Sequence, residues 1–139
     1  MRAPWPLSVK QMPKTNAREK IRRQRALQWG HHAEWMAMVW LMFQGYKPLA
    51  RRYQGMGGEV DLIMQRGQTI LFVEVKARAT RDAGLLAIDL VKTQKFNKAV
   101  THWLMRHSWA APCLLRADAI IICPWCWPLH VKDAFTLTP

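Results

Sequence analysis

Two short apolar runs that each carry charged residues constrain the fold of this chain more than any other feature. The first run is residues 60–64, Val-Asp-Leu-Ile-Met, and the second is residues 69–76, Thr-Ile-Leu-Phe-Val-Glu-Val-Lys. Both runs are rich in the β-branched and aromatic residues that favour strands. Because the polar, glycine-containing segment 65–68 separates them, the pair is predicted to form a β-hairpin.

The charged residues inside these runs indicate a chemical site. Side chains alternate along a strand, so Glu59 and Asp61 are predicted to share a face, as are Glu74 and Lys76. Ionised groups within apolar strands are costly unless they are paired or bind a metal. Carboxylates on two adjacent strands, with a lysine beside one of them, suit Mg²⁺ or Mn²⁺. An isolated Glu-Val-Lys also occurs as a solvated ion pair, so Asp61 on the preceding strand is what favours the site.

The same residues carry a resemblance to a known family. Asp61 followed across the hairpin by Glu74-Val75-Lys76 resembles the PD-(D/E)XK nuclease motif. More closely, the segments GGEVDLI (57–63) and FVEVKAR (72–78) resemble the YraN-like family of bacterial proteins, and the resemblance extends over about residues 30–135. That family is predicted to have a restriction-endonuclease-like fold, close to that of archaeal Holliday-junction resolvases. The resemblance therefore implies a single α/β domain, with a mixed central β-sheet flanked by α-helices.

The resemblance also implies a function, which is a divalent-metal-dependent nuclease that acts on DNA. Asp61 and Glu74 would bind Mg²⁺ or Mn²⁺, together with the main-chain carbonyl of Val75. Lys76 would orient the attacking water and offset charge that develops on the phosphate. Glu59 would support these ligands or replace one of them.

Glu34 is assigned to the same site through the first predicted helix. Apolar residues recur at helical spacing over residues 30–44, and Gly45 is a plausible end for the helix. By spacing alone, Glu34 either lies at the solvated helix start, where the dipole favours a carboxylate, or points into the site. The YraN-like family carries a glutamate in the setting Gly-x-x-x-Glu-x-x-Ala, which Gly30, Glu34 and Ala37 match. The resemblance thus implies a catalytic and metal-binding role for Glu34.

The charge of the chain favours a polyanionic partner. Of its 139 residues, 21 are Lys or Arg and 9 are Asp or Glu, which gives a formal net charge of +12. Nucleic acid is the first partner that this imbalance indicates, and an anionic membrane surface is the second. Residues 1–28 are predicted to form a basic, flexible tail, which either grips phosphates or is simply disordered, with Asn16 as a candidate cap for a helical end. Residues 29–139 would form the nuclease domain.

Four basic residues near the predicted site are candidates for contacts with DNA phosphates: Arg51, Arg52, Arg78 and Lys92. The first two lie near the end of a strand predicted over residues 46–53, and Arg78 follows the hairpin. Lys92 belongs to a helix predicted over residues 88–107 and aligns with a lysine that is common in the YraN-like family. Lys95 and Lys98 lie close to it on the same helical arc. A solvated surface position is the alternative for each of these residues.

The C-terminal part is predicted to complete the sheet, with a buried strand over residues 116–123 and an edge strand within residues 127–135. The YraN-like family typically has Arg-Phe-Asp-Val where this chain has Arg116-Ala117-Asp118-Ala119. We expect Asp118 to pair with Arg116 and to serve the structure. The segment 77–83 is predicted to be a polar loop, and residues 84–90 give an ambiguous signal.

The cysteines bear on both location and chemistry. Three cysteines fit a reducing cytoplasm, and no apolar run is long enough to span a bilayer. The spacing of Cys123 and Cys126, with Cys113 and His130, permits a zinc or thiol site, although buried inert thiols are favoured.

Two further alternatives stay open. The alternative to a nuclease is a nucleic-acid-binding or adaptor module with little or no catalysis. Resolvase-like relatives are often dimeric, so a homodimer is an expectation by analogy.

Overall fold

The two apolar runs form strands near the middle of a five-stranded sheet in the computed structural model, which describes residues 17–89 and 93–138. Helices cover both faces of this sheet, which confirms the predicted α/β class with a mixed sheet. In chain order, the elements are α1 (Ala17–Phe43), β1 (Lys47–Gly55), β2 (Gly58–Arg66), β3 (Thr69–Ala77), α2 (Arg81–Asp89), α3 (Thr93–Arg106), a 3₁₀ turn (Ser108–Ala110), β4 (Leu114–Ile122) and β5 (Leu129–Phe135).

The strands lie side by side in chain order, β1-β2-β3-β4-β5. The β2–β3 hairpin is present as predicted, with antiparallel pairing from Leu62 opposite Val73 to Arg66 opposite Thr69. Only β3 and β4 run parallel among the described strands, and α2 and α3 lie in the connection between them. A parallel pair needs such a long crossover, whereas antiparallel pairs need only a turn.

Each face of the sheet packs against a different helix. Ala33, Ala37 and Leu41 of α1 pack on one face, in a cluster that includes Leu71 and Val73. The opposite face packs against α3 in a second cluster. In that cluster the rings of Phe72 and Trp103 meet edge to face, with centroids 5.6 Å apart. The alternation of side chains along β3 supplies both cores, as expected for a strand buried on both sides.

The first helix is longer than predicted. It begins at Ala17 rather than Gly30 and ends at Phe43, so residues 17–28 are helical and continuous with the core helix. Residues 17–28 contain neither Pro nor Gly and are rich in Ala, Arg, Lys and Gln, which have high helix propensity. Their side chains up to Gln28 are exposed, so no apolar periodicity marked the helix. Residues 1–16 of the predicted tail lie outside the described part of the chain.

The segment after the hairpin also differs from the prediction. Residues 81–89 form α2, where a loop and an ambiguous stretch were expected. Thr80 begins the helix, because its Oγ1 accepts a hydrogen bond from the Ala83 N–H at 3.1 Å. Gly84 lets α2 approach β4 closely, since a Cβ at this position would lie 2.3 Å from the Ile121 side chain. The single helix predicted over residues 88–107 is α3 from Thr93 onward. No helix within the described ranges combines the length and apolarity needed to cross a bilayer.

Candidate metal centre

The β2–β3 hairpin opens at Asp61. Pairing between the two strands reaches only to Leu62 and Val73, while β3 remains paired with β4 as far as Ala77. Beyond that point the Val75 N–H donates to the Asp61 Oδ2 at 2.8 Å. The side chain of Asp61 thus takes the place of a main-chain carbonyl on the neighbouring strand, and its carboxylate is fixed between the diverging strands.

The backbone is irregular on both strands beside this opening. Val60 packs in the cluster on the α3 side and Leu62 packs in the cluster on the α1 side, although a regular strand would put both on one face. On β1, Arg52 has a φ of +53°, which is uncommon for a residue other than glycine. Its guanidinium Nε lies 2.8 Å from Glu34 Oε2, so α1 and β1 are tied together next to Asp61.

Glu74 and Lys76 lie on one face of β3, as the alternation predicts. The Lys76 Nζ is 3.0 Å from Glu74 Oε1, and the two side chains are 23% and 15% exposed, respectively. The ion pair is therefore partly shielded from water, and it sits directly beside the Val75 N–H that binds Asp61.

Two cavities meet at these residues. Asp61, Glu74 and Lys76 line both a cavity of about 690 Å³ and one of about 310 Å³. The larger cavity, on the side of α3, is also lined by Gln54, Gly55, Gly57, Gly58, Glu59, Lys95 and Phe96. The smaller cavity, on the side of α1, is also lined by Ala26, Trp29, Gly30, Ala33, Glu34, Val75, Ala77 and Arg78. The three charged groups are accordingly reachable from both sides of the opened hairpin.

Burial and the neighbouring carboxylates disfavour the charge of Asp61. Burial raises the pKa of Asp61 to about 8, and the negative charge of Glu74 adds to the increase. The hydrogen bond from Val75 acts in the opposite direction, and the charges of Glu34 and Glu59 raise the pKa further. A cation placed among these groups would relieve the repulsion, because an opposite charge within a few ångströms favours the ionised form.

The donor set fits a hard divalent cation that keeps part of its water shell. No group of three or more His, Cys, Asp or Glu side chains within residues 17–89 and 93–138 is arranged to hold a metal ion. A metal here would depend on Asp61 and Glu74 with main-chain and water oxygens, which is how Mg²⁺ is usually bound. Glu34 lines the smaller cavity but pairs with Arg52, so its direct binding to the metal stays a prediction.

A family comparison covers the charged residues of this arrangement. The model of the family described as "Uncharacterised protein family UPF0102" matches residues 33–122. The chain belongs to the UPF0102 family. The expected resemblance to YraN-like proteins is thereby confirmed at the level of the family. The match includes the site residues Glu34, Asp61, Glu74 and Lys76.

Close UPF0102 relatives align over most of the chain. A UPF0102 protein of Methylobacterium radiotolerans is 47% identical over 116 residues, which is 84% of this chain and 90% of the relative. One from Methylobacterium nodulans is 47% identical over 128 residues, covering 92% of this chain and 99% of the relative. One from Methylorubrum extorquens is 52% identical over 108 residues, or 78% and 84% of the two chains.

The two glycines of the UPF0102 segment GGEVDLI have a structural cause. A Cβ on Gly58 would lie 1.7 Å from the carbonyl oxygen of Lys95, so only glycine allows β2 to start against α3. Gly57 has a φ of +79°, which closes the turn from β1. This contact brings Lys95 into the wall of the larger cavity. Helical spacing predicted that Lys95 lies near Lys92 on one arc, but no sequence feature assigned Lys95 to the site.

The predicted phosphate-binding residues are placed differently from one another. Arg78 lines the smaller cavity, whereas Arg52 is held by Glu34. Arg51 lies over the ring of Trp35, with its guanidinium carbon 4.4 Å from the ring centroid. Lys92 lies outside the described residues. Trp29, which also lines the smaller cavity, was not predicted, because no helical face was assigned to residues 17–29.

Among residues 17–89 and 93–138, the three cysteines and His130 do not form a group that could hold a metal ion. The thiols of Cys123 and Cys126 do lie within hydrogen-bond reach of each other. The Cys113 Sγ lies 3.8 Å from Gln68 Oε1, and His130 is hydrogen bonded to Asp118. Cys126 is exposed and Cys123 is buried. Asp118 pairs with Arg116 through two hydrogen bonds, which confirms the expected structural role.

Proposed function

We propose that this UPF0102 protein is a divalent-metal-dependent nuclease of the PD-(D/E)XK type that acts on DNA, with a restriction-endonuclease-like fold. The observation that supports this most is the placement of Asp61 and Glu74 on diverging strands, with Lys76 3.0 Å from Glu74. All three line two cavities that open on either side of the sheet. A substrate backbone lying across the opened hairpin would pass directly over these groups.

Asp61 and Glu74 would hold Mg²⁺ or Mn²⁺, with the carbonyl of Val75 as a further oxygen donor. When bound, the metal supplies a Lewis acid for the phosphate and lowers the pKa of a coordinated water. The hydrogen bond from the Val75 N–H fixes the orientation of the Asp61 carboxylate before any ligand binds. Such preorganisation reduces the cost of assembling the site.

Lys76 would act on the nucleophile and on the charge of the phosphate. Its ammonium group has three donors, of which the contact with Glu74 uses one. The others would orient a water molecule and stabilise negative charge in the transition state. Glu59, which is exposed in the larger cavity, would support this arrangement from the solvent side.

Affinity for DNA would come mainly from charge. The net charge of +12 favours a polyanion, and Lys95 and Arg78 lie in the walls of the larger and the smaller cavity, respectively. Binding of this type involves the release of counterions and should weaken steeply as salt is raised. The three thiols are free, which fits a DNA-processing activity in the cytoplasm.

The test is cleavage of end-labelled single-stranded, duplex and four-way-junction DNA with Mg²⁺, Mn²⁺ or EDTA. Glu74→Gln and Lys76→Met should each reduce metal-dependent cleavage by about 100-fold or more. Asp82→Asn and Lys132→Met remove the same charges at exposed positions on α2 and β5, and they should cut like the wild type. The substrate that is cut fastest identifies the preferred DNA structure.

The controls separate the alternatives. If wild type and all variants bind DNA but none cuts, the protein is a nucleic-acid-binding or adaptor module. If the Glu74 and Lys76 variants cut as fast as the wild type, the activity comes from another site or another protein, and the proposal is wrong.

A further inference from the structure

An apolar groove lies at the C-terminal end of α1, whereas the basic residues of this helix lie in its N-terminal half. It has a volume of about 650 Å³, and it runs between the C-terminal turns of α1 and the segment that precedes β5. Its lining consists of Trp35, Met36, Val39, Trp40, Phe43, Cys126, Trp127 and Pro128. The rings of Trp40 and Trp127 contact each other with centroids 5.9 Å apart, so the groove is already formed in the single chain.

The side chains around the groove are unusually exposed for their type. Phe43 is 87% exposed, Trp127 75% and Trp35 50%. Met36, Val39 and Met42 on the same part of α1 are each more than 40% exposed. With roughly 150–250 Å² for a whole aromatic side chain and similar values for large aliphatic ones, these six expose on the order of 700 Å². That exceeds the apolar patch of a typical monomer and approaches the roughly 800 Å² per partner of a stable interface.

The charge of this surface limits what can cover it. Residues 35–43 contain no ionisable side chain, whereas Arg18, Lys20, Arg22, Arg23 and Arg25 lie in the other half of the same helix. A cation does reach the rim of this surface, because the Arg51 guanidinium carbon lies 4.4 Å from the centroid of the Trp35 ring. Nucleic acid needs several cations, so this half of α1 does not suit it. Two copies of a chain with a net charge of +12 repel each other, and they can meet most easily where the fewest charges would be buried.

We propose that this surface is an interface between two copies of the chain. The patch contains both a groove and the strongly protruding Phe43, so it can be complementary to itself across a two-fold axis. None of the residues that line the groove also lines either cavity at Asp61. The proposed interface therefore shares no lining residue with the cavities, and the inference does not depend on the nuclease proposal.

The experiment is sedimentation equilibrium of the full chain over a wide range of concentration, for wild type, Phe43→Lys and Met105→Lys. Phe43 and Met105 are both exposed apolar residues in the last turn of a helix, where a lysine is compatible with the helix dipole. Wild type and Met105→Lys should form dimers with equal affinity. Phe43→Lys should weaken dimerisation about 10-fold or more, as expected for an aromatic anchor.

Thiol labelling of the wild-type protein is a second measurement of dimerisation through this surface. Cys126 lines the groove and is exposed in the single chain, so its rate of labelling by a maleimide should fall as the dimer forms. Cys113, which lies beside Gln68 and outside the groove, should react at a constant rate. A monomer at every concentration, or a dimer that tolerates Phe43→Lys, would overturn the proposal. So would monomers that bind anionic vesicles through this face, which would make a lipid surface its occupant.

Discussion

Asp61 and Asp118 lie on the two strands that flank β3, and they meet opposite surroundings. Asp118 is fully buried and accepts four hydrogen bonds. They come from Arg116 Nε (2.8 Å) and Nη2 (2.9 Å), His130 Nε2 (2.6 Å) and the Asp133 N–H (3.0 Å). Asp61 is only partly buried, and within the described residues it accepts a single hydrogen bond, from the Val75 N–H.

The pKa values of the two carboxyls diverge accordingly. Burial by itself would raise the pKa of Asp118, but the hydrogen bonds from His130, Arg116 and the Asp133 N–H outweigh it and lower the pKa to about 2. At Asp61 burial and the neighbouring Glu74 raise the pKa to about 8. Burial is therefore not what distinguishes a site from a structural ion cluster. What distinguishes them is the number of hydrogen-bond donors, because a carboxylate that lacks donors is available to a cation.

The largest expected contrast is in the stability of the two Asp→Asn variants. Asp118→Asn should lower the free energy of unfolding by about 3–5 kcal/mol, because an amide can accept at only one of its two ends while cationic donors face both. Asp61→Asn should be neutral or stabilising by up to about 1 kcal/mol, since the amide keeps an acceptor for Val75 and, unlike the carboxyl, needs no proton to be neutral in the folded state. Urea denaturation at neutral pH without divalent metal measures both. Equal destabilisation by the two variants would contradict the distinction drawn between the sites.

Sequence patterns could predict the hairpin and the shared face of Glu74 and Lys76, because both depend on local alternation. They could not predict that the alternation of side chains between the two faces breaks at Asp61. Val60 and Leu62 are both apolar, so a regular strand would place them on one face, whereas they pack on opposite faces. The role of Gly58 could be predicted only in part. A glycine pair indicates a close approach, but the partner, the carbonyl of Lys95, lies 37 positions away and is set by tertiary packing.

The start of α1 shows the same limit. Residues 17–28 have helical propensity but no buried face, so composition alone suggested a tail. Trp29 and Ala26 then went unassigned, although both line the smaller cavity.

The second prediction concerns what holds each region in place. The Asp118 cluster is fixed by hydrogen bonds, whereas the Asp61 region depends on the close approach of β2 to α3 at Gly58. Gly58→Ala should cost about 2–3 kcal/mol, because the Lys95 carbonyl cannot move without shifting the helix. Gly57→Ala is the matched control. A Cβ there meets nothing within 4 Å, so only its positive φ opposes the change, at about 1 kcal/mol. Thermal unfolding of both variants tests this, and equal losses would show that the close approach is unimportant.

The third prediction is the pH dependence of stability without divalent metal. The raised pKa of Asp61 means that the folded protein keeps a proton which the unfolded chain loses above the ordinary pKa of an aspartate. The free energy of unfolding should therefore fall as pH rises from 5 to 7.5. Relative to Asp61→Asn, the expected decrease is about 1–2 kcal/mol, which is below the limit of about 1.4 kcal/mol per pH unit for one group. Asp118, with its lowered pKa, contributes constantly across this window and loses its contribution only as pH falls towards 2. Parallel pH profiles for wild type and Asp61→Asn would contradict the raised pKa.

The smallest expected effect tests whether Glu34 resembles Asp61, which is weakly held, or Asp118, which is held firmly in its cluster. Its partner Arg52 has a side chain that is 37% exposed, so the ion pair is partly screened by water. A double-mutant cycle with Glu34→Gln and Arg52→Asn should give a coupling of about 0.3–1 kcal/mol that decreases with added salt. Asparagine is the appropriate replacement at position 52 because it tolerates the positive φ found there. A coupling above about 2 kcal/mol that is insensitive to salt would instead place Glu34 with Asp118, as a structural lock between α1 and β1. A weak coupling leaves the Glu34 carboxylate free to turn from Arg52 towards a cation bound by Asp61 and Glu74, because little energy holds it in its present contact.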